Sequence, residues 1–278
     1  MISVTGANGF IGQAVIKYCI SNSISVKGYS RRQSTSSVVH QVNSYHDITG
    51  EGILIHLAET RGLADMNDGT ADVQTQLMRT LCNKGFSRII YGSSAAVYNH
   101  NPFDIVPRST DLSSHGYSLA KQKNEAILRQ TSQGAVARIA NVYGANMAEN
   151  SVISTIMKQR YSKEIEVFSC QSIRDFIWVD DVASGLVSLA LSTIEGVYHL
   201  GSGKGTSVRE LIGVVTKLVN NSSPTIIETK QLPFSRVVLD LTDTEKYLQW
   251  RPKVTLMDGM RQLIQDKNNA TYSGIYGE

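Results

Sequence analysis

Three side chains in this sequence are typed and spaced for proton chemistry. Tyr117 and Lys121 stand four residues apart inside Tyr117–Gln130, a segment that reads as a helix. That separation puts both side chains on one helix face. A free phenol titrates near ~10 and is a poor base at neutral pH. A neighbouring cation favours the phenolate, and each pKa unit so gained is worth ~1.4 kcal/mol. The pair is therefore suited to moving a proton. Ser94 follows the strand-like run Arg88-Ile89-Ile90-Tyr91 and so falls at the C-terminal edge of a sheet, where open α/β folds hold their ligands. Its hydroxyl can hydrogen-bond an oxygen held there. Ser93 is the competing donor.

A second cluster is built for phosphate. Gly6-Ala7-Asn8-Gly9-Phe10-Ile11-Gly12 links the first strand to the first helix in the G-x-x-G-x-x-G spacing of a dinucleotide fingerprint. Gly6 permits a tight turn, Gly9 lets the backbone approach a pyrophosphate, and Gly12 allows close packing of helix on sheet. The helix N-terminus adds unpaired N–H groups and a positive dipole end. Cofactor choice is read from the second strand, which runs into Ser30-Arg31-Arg32. The first carboxylate of the chain is Asp47, well beyond the place where an NAD site carries its acid. Two arginines without a local anion suit a 2′-phosphate, so NADP(H) is the preferred cofactor and NAD(H) the alternative. Asp47-Ile48 is placed to meet the adenine.

The elements that must position these groups alternate strand and helix through the first half: Ile2–Thr5, Gly12–Ser21, Val26–Tyr29, Ile53–Leu57, Thr70–Lys84, Arg88–Tyr91, Tyr117–Gln130 and Ala135–Ala140. This is the pattern of a parallel sheet covered on both faces. After Gly144 the alternation breaks. Ser151–Arg160 reads as a helix and Glu166–Cys170 as a strand. Phe176–Val179, Val182–Leu191 and Val197–Leu200 read as sheet and helix of the main domain again, and Ser207–Asn220 as a further helix. The predicted architecture is α/β: a Rossmann-type doubly wound parallel sheet with a smaller mixed α/β lobe. The dinucleotide-binding domain takes residues 1–145 and 174–201, and the substrate lobe takes 146–173 and 202–266. Residues 267–278 form a polar tail expected to be loosely held.

Composition narrows the function classes. The 278 residues are 41% hydrophobic and 18% charged, an ordinary globular balance. The net charge of +3, with Arg31-Arg32 as the one adjacent basic pair, gives no basis for a nucleic-acid partner. No apolar run approaches the ~20 residues of a membrane span, and the N-terminus lacks a signal-peptide pattern. Asn221-Ser222-Ser223 and Asn269-Ala270-Thr271 then read as chance glycosylation matches. Cys19, Cys82 and Cys170 are far apart and match no metal spacing, as expected of reduced, packed thiols in a cytoplasmic protein. Asp180-Asp181 is expected to cap a helix rather than bind metal.

Taken in order, Thr5–Gly12, His56-Leu57-Ala58, Gly92-Ser93-Ser94-Ala95-Ala96-Val97-Tyr98, Tyr117-x-x-x-Lys121, Asn141-Val142-Tyr143-Gly144 and Arg174-Asp175-Phe176-Ile177-Trp178-Val179-Asp180-Asp181 resemble the extended short-chain dehydrogenases/reductases, the NAD-dependent epimerase/dehydratase family. The resemblance spans about residues 1–250. It implies that Tyr117 relays the proton, that Lys121 also holds the nicotinamide ribose, and that Ser94 orients a substrate oxygen. It places Leu57 and Ala58 against the cofactor, and gives Asn141, Arg174 and, on looser flanking matches, Arg236 to the diphosphate of a nucleotide sugar. A homodimer formed through two helices per subunit is a further implication.

The sequence also departs from the family pattern. Asp72 stands where an Asn is usual, and Asn99 replaces a glycine. Ala95 and Ala96 occupy the positions where the family's dehydratases carry an acidic pair, which argues against water elimination. A nucleotide-sugar 4-keto reductase using NADPH is the leading expectation, and an NAD-dependent nucleotide-sugar 4-epimerase the alternative. A catalytically silent NADP-sensing scaffold is the third reading, disfavoured by the intact Ser94, Tyr117 and Lys121.

Overall fold

The structure is a computed structural model that describes residues 1–59, 68–98, 105, 116–131, 134–221, 224–230 and 233–273. Strand β1 (Ile2–Thr5) leads through the glycine turn into α1 (Phe10–Ser21), followed by β2 (Val26–Ser30), the short β3 (Val39–Gln41) and β4 (Ile53–His56). Helix α2 (Asp68–Cys82), β5 (Arg88–Ser94), α3 (Gly116–Arg129) and β6 (Gly134–Ile139) continue the alternation. The second half holds β7 (Asn141–Tyr143), α4 (Val152–Lys158), β8 (Glu164–Val167), β9 (Ile173–Trp178), α5 (Val179–Leu191) and β10 (Gly196–Leu200). It ends with β11 (Gly205–Ser207), α6 (Val208–Leu218), β12 (Thr225–Glu228), β13 (Arg236–Val237), α7 (Thr242–Leu248) and α8 (Leu256–Ser273).

Seven parallel strands form the main sheet in the order β3-β2-β1-β4-β5-β6-β10. The succession of strands across the sheet reverses between β1 and β4, the point at which open α/β sheets hold ligands at their strand C-terminal ends. Side-chain alternation splits the core into two layers. Ile55, Ile90, Ala135 and Ala137 pack against Val15 and Cys19 of α1 and Val182, Leu186 and Leu189 of α5. Leu54, Ile89, Tyr91 and Val136 pack the other way, against Met78 and Leu81 of α2 and Ile127 and Leu128 of α3. Burial on both faces explains why these strands read as continuous apolar runs.

The second sheet is small. Strand β9 pairs with β7, β11 and β13, while β8 pairs with β12 as a separate ribbon. Phe176 and Trp178 face a third core with Ile156, Ile165, Leu211, Val215, Met260 and Leu263. The strand around Phe176–Val179, expected in the main sheet, thus belongs to the second sheet. β10 alone among the later strands joins the main one. The capping chemistry matches the helix starts: Ser151 accepts from Ser154 N, and Ser207 with Glu210 forms a capping box. Asp180 and Asp181 lie inside the first turn of α5, whose N-cap is Trp178. Asp180 accepts from the Trp178 indole at 3.1 Å and Asp181 from Val254 N at 2.9 Å. In place of the expected capping, Asp180 makes a local bond and Asp181 a tertiary one. Helix α8 continues through Ser273 into the segment expected to be a loose tail, and residues 274–278 lie outside the described residues, as does Asn99.

Candidate active site

The glycine turn is packed too tightly for side chains. Gly6 adopts φ +70°, and a methyl on Gly12 would stand 2.1 Å from the Gly6 carbonyl oxygen. Gly9 is the N-cap of α1; no side chain bonds this cap and no acid sits in the first turn. The amide end of the helix is left to an incoming anion. Within the turn, Asn8 donates to the carbonyls of Arg32 at 3.1 Å and Gln33 at 3.0 Å, which ties the turn to the loop after β2. Phe10 and Ile11 are partly buried and pack on the core beneath α1.

That loop carries the residues expected to select the cofactor. Ser30 is buried and its hydroxyl accepts from Arg32 N at 3.0 Å, while Arg31 and Arg32 are exposed. The Arg31 guanidinium lies 5.8 Å from the Tyr45 ring centre. Asp47 closes a short 3₁₀ turn and is exposed, whereas the Ile48 side chain is 2% exposed in the core, so Ile48 can offer a ligand only its backbone. Beyond β4, the Thr5 hydroxyl receives Leu57 N at 3.2 Å and bonds His56 Nδ1 at 2.7 Å, holding Leu57 and Ala58 beside the glycine turn. Burial drives the His56 imidazole down to about 4, against the opposing pull of Glu59.

Ser94, Tyr117 and Lys121 are drawn together by anchors on both sides of the gap between β5 and α3. Ser118 donates to Ala96 O at 2.5 Å, which pins the first turn of α3 to the 3₁₀ turn that follows Ser94. Lys121 donates to Gly92 O at 2.7 Å, and its ammonium sits 5.7 Å from the Tyr117 ring centre. The Ser94 hydroxyl accepts from Ala96 N at 3.1 Å and keeps its own hydrogen to donate. Ser93 is turned inward: its hydroxyl donates to Glu125 at 2.5 Å, and Glu125 pairs with Arg138 at 2.6 Å. Of the two serines, Ser93 is thus engaged internally, while Ser94 has a hydrogen left to donate. Ala95 and Ala96 form the turn itself and bring no acid to it.

One member of the site escaped the sequence analysis. Glu59, three residues past β4, forms an ion pair with Lys121 and accepts a hydrogen bond from the Tyr91 hydroxyl. Asn124 donates to Tyr91 Oη at 3.2 Å, with its amide 3.5 Å from Glu59. Burial alone would lower the Lys121 ammonium, but Glu59 first and Tyr117 next oppose it, and the net direction is upward. Burial and the adjacent Glu59 push the Tyr91 phenol well above its ordinary value. The signal available in sequence was an acid directly after the apolar strand end His56-Leu57-Ala58.

The diphosphate candidates lie on the second sheet. Asn141 is exposed and its amide donates to Asp175 O at 3.1 Å. Arg174 donates to Ile173 O at 2.8 Å, Ser235 O at 3.0 Å and the Ser235 hydroxyl at 2.8 Å. It makes no ion pair with Asp175, whose carboxylate instead receives Ser202 N, the Ser202 hydroxyl, Gly203 N and Leu239 N. In the β9–β13 register, Arg236 is opposite Ile173 and Val237 is opposite Arg174. The two arginines therefore take alternating positions and face opposite sides of the sheet. Arg236 lies on the Gly205 side, where a methyl on that glycine would meet its guanidinium at 3.4 Å.

Comparison with known proteins gives the family and the fold. The sequence pattern of the NAD dependent epimerase/dehydratase family matches residues 2–201. The dTDP-4-dehydro-6-deoxyglucose reductase of Escherichia coli is 24% identical over 95% of this chain and 96% of its own length. The GDP-L-fucose synthase 1 of Arabidopsis thaliana is 24% identical over 94% of this chain and 91% of its own. Among solved structures, the UDP-glucose 4-epimerase of Thermotoga maritima with UDP-glucose superposes with a TM-score of 0.83 at 22% identity, covering 97% of this chain and 99% of that one. The fold, the glycine turn and the match over residues 2–201 lead to one conclusion: this chain belongs to the NAD dependent epimerase/dehydratase family, as an NAD(P)-dependent oxidoreductase or epimerase of the extended short-chain dehydrogenase/reductase type.

Proposed function

We propose that this protein is an NADP-dependent nucleotide-sugar 4-keto reductase. The observation that carries the NADP assignment is the loop after β2. Arg31 and Arg32 are exposed side by side, the loop is tied to the glycine turn through Asn8, and the nearest acid in sequence is Asp47. A 2′-phosphate there meets two cations. The glycine cradle, which has no room for a Cβ at Gly12, fits a pyrophosphate laid against the α1 N-terminus.

When bound, the nicotinamide supplies the hydride. The chain's own residues supply position and the proton. Ser94 donates to the substrate carbonyl oxygen and orients it. Tyr117 then delivers its proton to that oxygen as the carbonyl becomes an alcohol, and Lys121 beside it stabilises the phenolate left behind. Asn141 and Arg174, on the paired strands β7 and β9 of the second sheet, hold the diphosphate, while Arg236 faces the other side of that sheet and is not assigned to it. Elimination chemistry has no acid at Ala95 or Ala96 to drive it.

A second reading, an NAD-dependent nucleotide-sugar 4-epimerase, is supported by the NAD dependence in the family's description. The same Ser94, Tyr117 and Lys121 serve it, with Tyr117 taking the proton first and returning it later. The two readings part on the cofactor. A panel of 4-keto and 4-hydroxy nucleotide sugars, assayed with NADPH and NADH, tests them. Stoichiometric NADPH consumption with a 4-keto sugar is the expected result. Tightly retained NAD with interconversion of 4-hydroxy sugars and no net consumption would replace the first reading with the second.

The proposal extends to assembly and location. A homodimer packed through α2 and α3 would cover Val73, 66% exposed, and Leu119, 42% exposed, and light scattering would report twice the chain mass. The proposed compartment is the cytoplasm. Among the described residues, no helix is long and apolar enough to cross a membrane.

A further inference from the structure

Glu59 has no part in the family motifs read from the sequence, yet its side chain is built into the site. Its side chain is 10% exposed and that of Lys121 is 6% exposed. A carboxylate this buried needs compensating donors. Three groups from two different elements supply them: the Tyr91 hydroxyl from β5, and the Lys121 ammonium and Asn124 amide from α3. The Tyr91 ring also lies 5.0 Å beneath the Lys121 ammonium. Lys121 carries three N–H donors, and Glu59 and Gly92 O take two of them. The direction of the third, and hence the aim of the ammonium, is set by those two acceptors.

We propose that Glu59 is a positioning residue for the reaction: it keeps Lys121 as a charged ammonium in a dry site and fixes the direction in which that ammonium faces Tyr117. The inference rests on the proton-relay reading of Tyr117 and Lys121 given above. A buried lysine without a counter-charge sheds its proton easily, because burial penalises the ammonium. The other charged or titratable groups near Lys121 do not replace Glu59. His56, on β4, is held neutral by burial. Tyr91, on β5, is a neutral phenol bonded to Glu59. Tyr117 lies on α3 itself. Glu125, one turn further along α3, is already paired with Arg138. Glu59 is thus the anion available to Lys121 among the described residues.

The test follows Lys121 directly, without cofactor or substrate. Protein labelled with ¹³C at the lysine Cε is titrated by NMR, with the Lys121 resonance assigned from a Lys121→Arg sample. In the wild type the resonance keeps its ammonium position beyond the ordinary lysine range. In Glu59→Gln it titrates at least about one pH unit lower. Glu59→Asp, which keeps the charge, restores most of that difference. With substrate present, the alkaline limb of turnover in Glu59→Gln moves down in step with the resonance, while KM for the nucleotide sugar changes less than kcat. Coincident Lys121 titrations in wild type and Glu59→Gln overturn the proposal. Should Glu59→Gln fail to fold, Glu59→Ala is the second charge-free variant. Failure of both, with Glu59→Asp folded, would assign Glu59 to stability alone and also overturn it. Loss of turnover in Tyr117→Phe belongs to the proton-relay reading, so the two failures are told apart.

Discussion

The Asn8 carboxamide donates to the Arg32 carbonyl across a sequence distance of 24 residues, at 3.1 Å. This bond ties the glycine turn to the loop proposed to select the cofactor. The turn cannot be aimed without also aiming the two arginines beside it.

Removing those cations separates the two cofactors. Arg31→Ala with Arg32→Ala is expected to weaken NADPH binding at least ~10-fold while changing NADH binding far less, since each lost charge-assisted bond to phosphate is worth roughly 1.5–3 kcal/mol. Fluorescence titration with each dinucleotide measures it. Equal losses for the two cofactors would remove the case for NADP.

Tyr117→Phe keeps the ring over which Lys121 sits and deletes only the hydroxyl. Turnover should fall by roughly 10²–10⁴-fold, the range of a lost general acid. The cofactor dissociation constant should stay within a few-fold of wild type. A variant with full activity would sink the relay assignment.

Acid should loosen this fold before its carboxylates are fully titrated. His56 is buried and held near 4, against 6.5 for an ordinary imidazole. Below pH 6.5 the unfolded chain takes up a proton at this residue that the fold refuses until about pH 4. Stability is therefore lost as pH falls across that window, by up to about 3 kcal/mol. Urea unfolding at stepped pH should show the slope, and His56→Gln should flatten it.

Glu125→Leu leaves the Arg138 guanidinium buried without its carboxylate, and Arg138 is 4% exposed. Such a broken buried pair costs about 3–5 kcal/mol, visible as a lower denaturation midpoint. Glu125→Leu combined with Arg138→Met should recover much of the loss, because a matched apolar pair carries no stranded charge.

Much of the fold was legible in the sequence because its strands are buried on both faces and its helices are marked at their ends. Ile53-Leu54-Ile55 and Arg88–Tyr91 read as strands from their apolar runs, and both pair in parallel register with each other. The strand around Phe176 was assigned to the wrong sheet. An apolar run of that length serves either layer, and the choice is made by partners at Asn141 and Arg236. Strand β3, Val-His-Gln, has no apolar signature, being held at the sheet edge by β2 alone.

The site divides along the same line. Gly6, Gly9, Gly12, Tyr117 and Lys121 announce themselves through spacing within one segment. Glu59 does not, because Tyr91 is 32 residues away and Asn124 is 65 residues away. Arg174 was visible as a cation, but its attachment to Ser235, 61 residues on, was not.

Asp175 gathers four donors from two loops into one carboxylate, joining β9 to the segments that follow β10 and precede α7. For anyone recombining this chain with a relative to change its sugar preference, that seam dictates where to cut. A crossover between Asp175 and Leu239 would trade one half of the seam for a stranger's and strand a buried anion. Exchanging residues 173–240 as a single cassette carries the carboxylate and all its donors together, so hybrids made that way should survive where finer shuffling fails.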